Sequence, residues 1–369
     1  MIVFIAQYPD ERNERDGMMQ RVAAIDTIFA STPRRYLDIS FWKNRRRSVS
    51  LHGMVTVEHV NFFLHHHYVF CRLKEANWIF IHSALNAVKV VSFLRLFRAK
   101  TIFDVHGVVP EETRFVGAPL RVAVFQIVER LMVRDARLLI FVTRRMQGHF
   151  IKKYPHAENC RAGIILPNLH PRCIPEGPAF HRERAEGSLR LVYAGGAQKW
   201  QNIDLMLKKL DQLASRRRNW RASIFLPQWD LAEFRSKLDR LGCRDLVEVA
   251  SLPHDELIAR YEMMDAGFVL RNATLLNEVA MPTKLVEYLL HGVVPIVLSA
   301  DLGDFVQYGY QYLTLRDLLE GRMCDSQTLE AMRRSNFKVL ASIRTCALES
   351  SNRLAAYCGL PSMEPALHT

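Results

Sequence analysis

Short apolar runs alternate with stretches of helical period along most of this 369-residue chain. That alternation points to doubly wound α/β domains, where helices cover both faces of a mostly parallel sheet. In the first half, Ile2–Ala6, Tyr36–Phe41, Val55–Val60, Trp78–Ile81, Thr101–Val105 and Leu138–Val142 read as strands, with helices at Gly17–Ala30, Ala84–Phe97 and Leu120–Arg134. Strands near Leu191–Ala194, Ala222–Leu226, Val247–Ser251, Gly267–Leu270 and Val293–Leu298 repeat the pattern. Pro171, Pro175, Gly177 and Pro178 punctuate Leu169–Ser188, which reads as the join between halves. The expected organisation is one domain over 1–170, a linker over 171–188, a second domain over 189–330 and a closing helical stretch over 331–369. Each half is long enough to fill its own core.

The stretch Asn277–Pro295 reads NEVAMPTKLVEYLLHGVVP and follows a long loop. Pro282 suits the first turn of a helix, where a missing N–H costs nothing, and Gly292 suits its stop before the next strand. Lys284 and Glu287 are three residues apart and share one face of that helix. A cation beside a helix N-terminus suits a phosphate. A carboxylate one turn deeper suits two adjacent sugar hydroxyls, and a nucleotide sugar needs both groups at about that separation. An exposed Lys–Glu pair on an amphipathic helix would look the same in this segment alone.

Leu191–Asn202, LVYAGGAQKWQN, is an apolar strand and a Gly195–Gly196 turn, followed by a helix with Ile203, Leu207, Leu210 and Leu213 at helical spacing. Such a turn brings backbone N–H groups close to a ligand, and the helix N-terminus adds partial positive charge. Lys199 lies in the turn, within reach of an anion. There is no GxGxxG, no GxxxxGK[ST] and no DxD, which argues against a dinucleotide fingerprint, a P-loop and a metal held by an Asp pair.

The two segments together resemble the C-terminal domain of retaining GT-B glycosyltransferases of family four, of the kind that build bacterial surface polysaccharides such as lipopolysaccharide and capsule. The N-terminal half is similar too. DVHGVVPEE over 104–112 is similar to the family stretch that carries an active-site histidine, here His106. The IVER-like run ending at Arg130, the strand ending in Val142-Thr143 and IILPN over 164–168 follow in the family's order. The resemblance implies two Rossmann-like domains facing across a cleft, with strand C-termini lining it, and a last helix (Ser326–Tyr357) returning to the first domain.

It also implies transfer of a sugar from a nucleotide-diphosphate donor to a growing glycan on a polyprenyl-diphosphate lipid, with retention at the anomeric carbon. Glu287 would hold the ribose, and Lys199 and Lys284 the diphosphate. His106 would act near the donor sugar, and Arg271, Asn272 and Glu278 would contact the diphosphate or sugar from the loop before Pro282. Asp16 and Gly17, after the first strand, and Glu111 would belong to the acceptor side. Lysines and a helix N-terminus would serve in place of a metal, and no cofactor is implied. Two departures stand out. The family spaces its two glutamates by seven residues, whereas Glu278 and Glu287 have eight between them and the usual position holds Val279. The family's arginine just after the glycine turn is absent, and Gln201 stands where a lysine is usual.

Composition constrains the partners. Residues 1–176 hold 26 Lys and Arg against 15 Asp and Glu, while residues 177–369 hold 24 against 23. A basic half joined to a neutral half suits one domain facing an anionic surface. Phe41-Trp42-Lys43 ahead of Arg45-Arg46-Arg47, and the run Phe93–Arg98, pair apolar groups with cations as a bilayer headgroup region demands. No zinc-finger spacing or RNP-like aromatic motif supports a nucleic-acid partner. The seven scattered cysteines form no CxxC pair, which favours reduced thiols. His65-His66-His67 are adjacent and cannot readily converge on one metal ion. The opening MIVFIAQYPDE reads as a strand rather than a signal peptide, and no apolar run is long enough to span a bilayer. The expected place is cytoplasmic, peripheral on the inner face of the cell membrane. Two other readings stay open: a catalytically silent nucleotide-sugar-binding partner subunit, and a nucleotide-sugar epimerase of the same fold.

Overall fold

The computed structural model describes residues 1–10, 17–169, 188–322 and 325–362, so the expected linker up to residue 187 and Asp16 lie outside the described residues. The chain divides into two compact units, Met1–Pro171 with Thr345–Thr369, and Arg172–Arg344.

The first unit is built on β1 (Ile2–Ile5), β2 (Arg34–Ser40), β3 (Ser48–His52), β4 (Val55–Asn61), β5 (Trp78–His82), β6 (Thr101–Val105), β7 (Leu138–Phe141) and β8 (Ile164–Ile165). They lie side by side in the order β3-β4-β2-β1-β5-β6-β7-β8. All pair in parallel except β3, which runs antiparallel to β4. The helices are α1 (Gly17–Asp26), α2 (His66–Glu75), α3 (Ser83–Ala87), α4 (Leu94–Phe97), α5 (Val109–Phe115), α6 (Pro119–Asp135), α7 (Arg144–Lys153) and α8 (Glu158–Ala162). Strands β1 and β7 are buried along their whole length, as parallel strands covered on both faces must be. Phe4 stacks on Tyr36 at 4.8 Å, and Phe29 and Phe80 close around it.

Two local departures from the sequence reading have physical causes. The single helix expected over Ala84–Phe97 is broken into α3, a 3-10 turn at Val91–Phe93 and α4. Val88, Val90 and Val91 are poor helix formers, and Phe93 turns inward to pack on His66 and Phe70 of α2. The aromatic groups of Phe93–Arg98 are therefore not exposed as a pair: Phe93 is buried and Phe97 packs on Phe70. The hairpin strand β3 was not foreseen. Its apolar residues Val49 and Leu51 face solvent, so the alternation that marks a half-buried strand carried no inward face to detect.

The second unit holds β9 (Leu189–Ala194), β10 (Trp220–Phe225), β11 (Val247–Ala250), β12 (Ala266–Val269), β13 (Val294–Val297) and β14 (Leu313–Thr314), all parallel, in the order β11-β10-β9-β12-β13-β14. Its helices are α9 (Ile203–Arg216), α10 (Leu231–Leu238), α11 (His254–Tyr261), α12 (Leu275–Val279), α13 (Thr283–Leu290) and α14 (Leu315–Glu320). The long closing helix α15 (Ser326–Tyr357) is shared: the division falls at Thr345, later than residue 331. Its first half stays with the second unit because Leu329 and Met332 enter that core and the Arg333 guanidinium donates to Asp265 and the Gly292 carbonyl. Leu354 and Ala355 join the core of the first unit, and Tyr357 packs on Trp78 at 5.3 Å.

In each sheet the strand order reverses beside the first strand: β1 lies between β2 and β5, and β9 between β10 and β12. Successive connections leave in opposite directions there, so the loops part and open a crevice at the strand C-termini. Among the described residues no helix is long and apolar enough to cross a membrane.

Candidate functional site

Loops bearing the expected donor-side residues meet at the switch point of the second sheet. Gly195 and Gly196 follow β9, and Arg271 follows β12, the adjacent strand across the reversal. Gly195 has φ +136°, and a Cβ built there would sit 2.9 Å from Lys284 Nζ. Glycine is required here both by the backbone and by the lysine that lies against it. The turn is held by Gly195 N–H donating to the Phe225 carbonyl at 3.0 Å and by Tyr193 OH donating to the Gly196 carbonyl at 2.7 Å. A 3-10 turn, Lys199–Gln201, and Asn202 at φ 53° then lead into α9, with Asn202 Nδ2 donating to the Leu270 carbonyl at 2.7 Å. The side chain of Lys199 lies outside what the structure describes.

Helix α13 is seated by one aromatic residue. A Cβ on Gly267 of β12 would fall within 2.4 Å of the Tyr288 ring, so the missing side chain makes the slot that ring fills. The Tyr288 hydroxyl accepts from Ala194 N–H at 3.2 Å, which ties α13 to the end of β9. The helix starts after Pro282, and the loop before it contains the single turn α12 rather than running open.

That seating buries Lys284, with Nζ 3.7 Å from the Tyr193 ring centroid and donating to Gln201 Oε1 at 3.2 Å. Burial pushes its pKa well below the ordinary lysine value, the nearby Arg271 guanidinium pushes the same way, and Glu287 opposes them. Burial also lowers the pKa of Arg271, which donates to Asn277 Oδ1 at 3.3 Å. Arg271 Nε is buried with no hydrogen-bond partner among the described residues. Buried donors of this kind are rare unless a ligand completes them. Two cations thus converge where strand ends part, bonded to amides and a ring face.

One turn along α13, half-buried Glu287 receives the Tyr261 hydroxyl at 3.4 Å. Asn277 is consumed by its own loop: Nδ2 donates to the Asn272 carbonyl at 2.9 Å and to Thr274 Oγ1 at 3.2 Å. Glu278 is half-buried on α12 and Asn272 is exposed. Tyr193, Gln201 and Tyr288 were not singled out as functional groups from the sequence. Their apolar-strand and helix settings read as core, and only Gln201, standing where the family has a lysine, carried a signal.

In the first unit, half-buried His106 follows β6, with its N–H bonded to the Asp104 carbonyl at 2.9 Å and Nδ1 4.0 Å from Asp104 Oδ2. Asp104 is fully buried, accepting from Arg21 Nη2 at 2.7 Å, with His82 Nδ1 at 3.1 Å. Burial pushes its carboxyl pKa up, but Arg21 and His82 outweigh that and hold it well below the ordinary value. Gly17 opens α1, the helix that delivers Arg21. Glu111 on α5 accepts from Lys153 Nζ at 2.7 Å, with His149 Nε2 at 3.8 Å. Burial raises its pKa, while the His149 and Lys153 contacts bring it down to about 2. Lys153 also pairs with the buried Glu129. The three adjacent histidines diverge: His65 Nδ1 accepts from Asn61 N–H, His66 packs on Phe93, and His67 lies beside Cys71.

No family model matches the chain, and no curated protein is similar to it in sequence. Solved structures are similar in fold. HepE from Anabaena, in complex with UDP and glucose, superposes with a TM-score of 0.69 at 17% identity, over 97% of this chain and 99% of that one. WaaG, described as a glycosyltransferase involved in lipopolysaccharide biosynthesis, gives 0.63 at 13% identity over 96% and 99%. An E. coli trehalose-6-phosphate structure bound with UDP-2-fluoro glucose gives 0.65 at 11% identity over 97% and 98%. The chain has the GT-B fold. At these identities the likeness is one of fold, and the chemistry rests on this chain's own residues.

Proposed function

We propose that this chain is a glycosyltransferase that takes a sugar from a nucleotide-diphosphate donor and passes it, with retention, to a growing surface glycan carried on a polyprenyl lipid. The observation that carries the reading is the cation pair of buried Lys284 and half-buried Arg271 at the switch point after β9, with Arg271 Nε buried and without a hydrogen-bond partner among the described residues. The diphosphate lies against the Gly195–Gly196 turn and the start of α9, opposite Lys284, Arg271 and Lys199. Charge that develops on the departing diphosphate is met by the positive charge of Lys284 and Arg271, and such stabilisation is strongest in a site that excludes water. These charges replace a metal. Glu287 accepts from the ribose hydroxyls, and Asn272 and Glu278 contact the sugar.

His106 is assigned to the transfer step, and Asp16, Gly17 and Glu111 to the acceptor side. For Glu111 this means that an acceptor hydroxyl competes with Lys153 for the carboxylate. Solved relatives in fold that hold UDP, UDP-glucose or its 2-fluoro analogue support the donor class. The work is placed at the cytoplasmic face of a membrane, where a lipid-linked acceptor is found. A thermal-shift panel of nucleoside diphosphates and nucleotide sugars, with magnesium or EDTA, tests the donor. A selective rise unaffected by EDTA is expected. Transfer to a soluble acceptor then separates an enzyme from a silent binding subunit, and donor consumption without acceptor would point to the epimerase.

A further inference from the structure

Helix α6 is apolar on two sides. Its inner face buries Val122, Val128, Met132 and Val133. Leu120, Val124 and Ile127, at successive four- and three-residue spacings, form a second stripe facing outward, with Leu120 86% and Ile127 62% exposed. Phe115 and Val116, at the end of α5, are exposed just ahead of it. An apolar helix face is ordinarily covered, and this second one is open.

The exposed charges of α6 beside the stripe have one sign, and with α5 included the arginines still outnumber the acids. Arg121 is exposed on one flank, Arg130 on the other, and Arg114 is exposed on α5. The acids of α6 are withdrawn: Glu129 is 1% exposed and paired with Lys153, and Asp135 is held by Arg134 at 2.6 Å. On α5 Glu111 is taken by Lys153, and Glu112, though exposed, turns its carboxylate back over Gly107, where a Cβ would meet Oε1 at 2.5 Å.

We infer that the outer face of α5 and α6 is the surface by which this protein docks on an anionic phospholipid bilayer. The stripe from Leu120 to Ile127 runs about 10 Å along the helix and inserts sideways into the boundary between headgroups and chains. The arginines stay at headgroup level, each strengthening binding by about fivefold through the surface potential. A second copy of the chain fits this face poorly, because a two-fold contact sets arginine against arginine. The inference deepens the membrane part of the function proposed above and assigns it to a surface other than Trp42–Arg47, but does not depend on donor chemistry.

The test is flotation of the full chain with phosphatidylcholine vesicles, with and without phosphatidylglycerol. The parent is expected to bind the anionic vesicles and to release in high salt. The triple variant Leu120→Ser, Val124→Ser, Ile127→Ser should bind at least about tenfold more weakly, with the melting temperature and UDP binding of the parent. Should the triple variant fold poorly, Arg121→Glu with Arg130→Glu, both exposed, should abolish the preference for phosphatidylglycerol. Four results overturn the assignment: a parent that binds no vesicle, a folded triple variant that binds as the parent does, charge-reversed arginines that leave the lipid preference intact, or loss of binding only on Trp42→Ser. A parent dimer that the triple variant dissociates, with vesicle binding unchanged, likewise makes the face a self-contact. UDP binding in every variant keeps failure of this assignment distinct from failure of the donor reading.

Discussion

Lys284 Nζ lies 3.7 Å from the centre of the Tyr193 ring, on the side where Gly195 has no Cβ. A ring face attracts a cation but cannot neutralise it. Its hydrogen bond goes to an amide, Gln201, and the largest charge effect on it comes from a second cation, Arg271, with Glu287 opposing more weakly. An ion pair arranged for stability would put a carboxylate there. The arrangement instead keeps a positive site in wait for an anion.

Replacing that lysine separates function from folding. Lys284→Met should lower turnover by about a hundredfold or more, the size of a lost electrostatic donor in a transferase site. Stability should be unchanged or higher, because a buried ammonium bonded to an amide, with its charge opposed by Arg271 more than it is supported by Glu287, is a cost to the fold. Sugar transfer under saturating donor and a thermal melt measure the two. Near-normal turnover in the folded variant takes Lys284 out of the mechanism.

The depressed pKa has a thermodynamic consequence in the empty protein. The unfolded chain holds the Lys284 proton up to about the ordinary lysine value of 10.5, whereas the folded chain releases it at a lower pH. Between those two values the unfolded state binds more protons, so this group's contribution to stability rises with pH and its penalty vanishes above 10.5. Diphosphate binding restores the charge and takes up a proton within that window. Calorimetry of UDP binding in buffers of different ionisation enthalpy should give buffer-dependent heats, and Lys284→Met should remove the dependence. Identical heats in all buffers would show that Lys284 does not change protonation.

Much of this placement was legible in the sequence, and the reasons are specific. Lys284 and Glu287 share a helix face because three residues make nearly one turn, and the Gly195 turn was visible as a break after an apolar strand. The packing behind them was not. Tyr288 fills the slot over Gly267 and bonds to Ala194, partners far apart in the chain. Arg21 and Asp104, 83 positions apart, likewise meet only once α1 has packed against the first sheet. The outer stripe of α6 escaped because periodicity reports that a helix has an apolar face, not that it has two.

Glu287 separates ribose recognition from diphosphate binding. Glu287→Ala should weaken UDP by about ten- to hundredfold, the loss of hydrogen bonds to a charged acceptor. In the parent, 2′-deoxy-UDP should bind more weakly than UDP, and in the variant the two should bind alike, since the carboxylate that told them apart is gone. Calorimetry with all four combinations measures the coupling. Additive losses would mean that Glu287 and the ribose do not meet.

Asp104 offers the corresponding test in the first unit, where it anchors the end of β6 just before His106. It is fully buried and bonded to both Arg21 and His82, so Asp104→Asn leaves the Arg21 guanidinium buried beside a neutral amide. Breaking one side of such a pair costs about 3–5 kcal/mol. The folded carboxyl pKa lies well below the ordinary aspartate value of 3.8, so its favourable contribution is fully present above 3.8 and is lost as pH falls toward the folded value. Urea unfolding of parent and variant should therefore differ most near pH 7 and converge as the pH drops below 4. His106 also loses the charge 4.0 Å from its Nδ1, so its own titration, followed by NMR, should shift down in the variant. A stable variant with an unmoved histidine would show that the Arg21–Asp104–His82 cluster neither anchors this strand end nor tunes the group beside it.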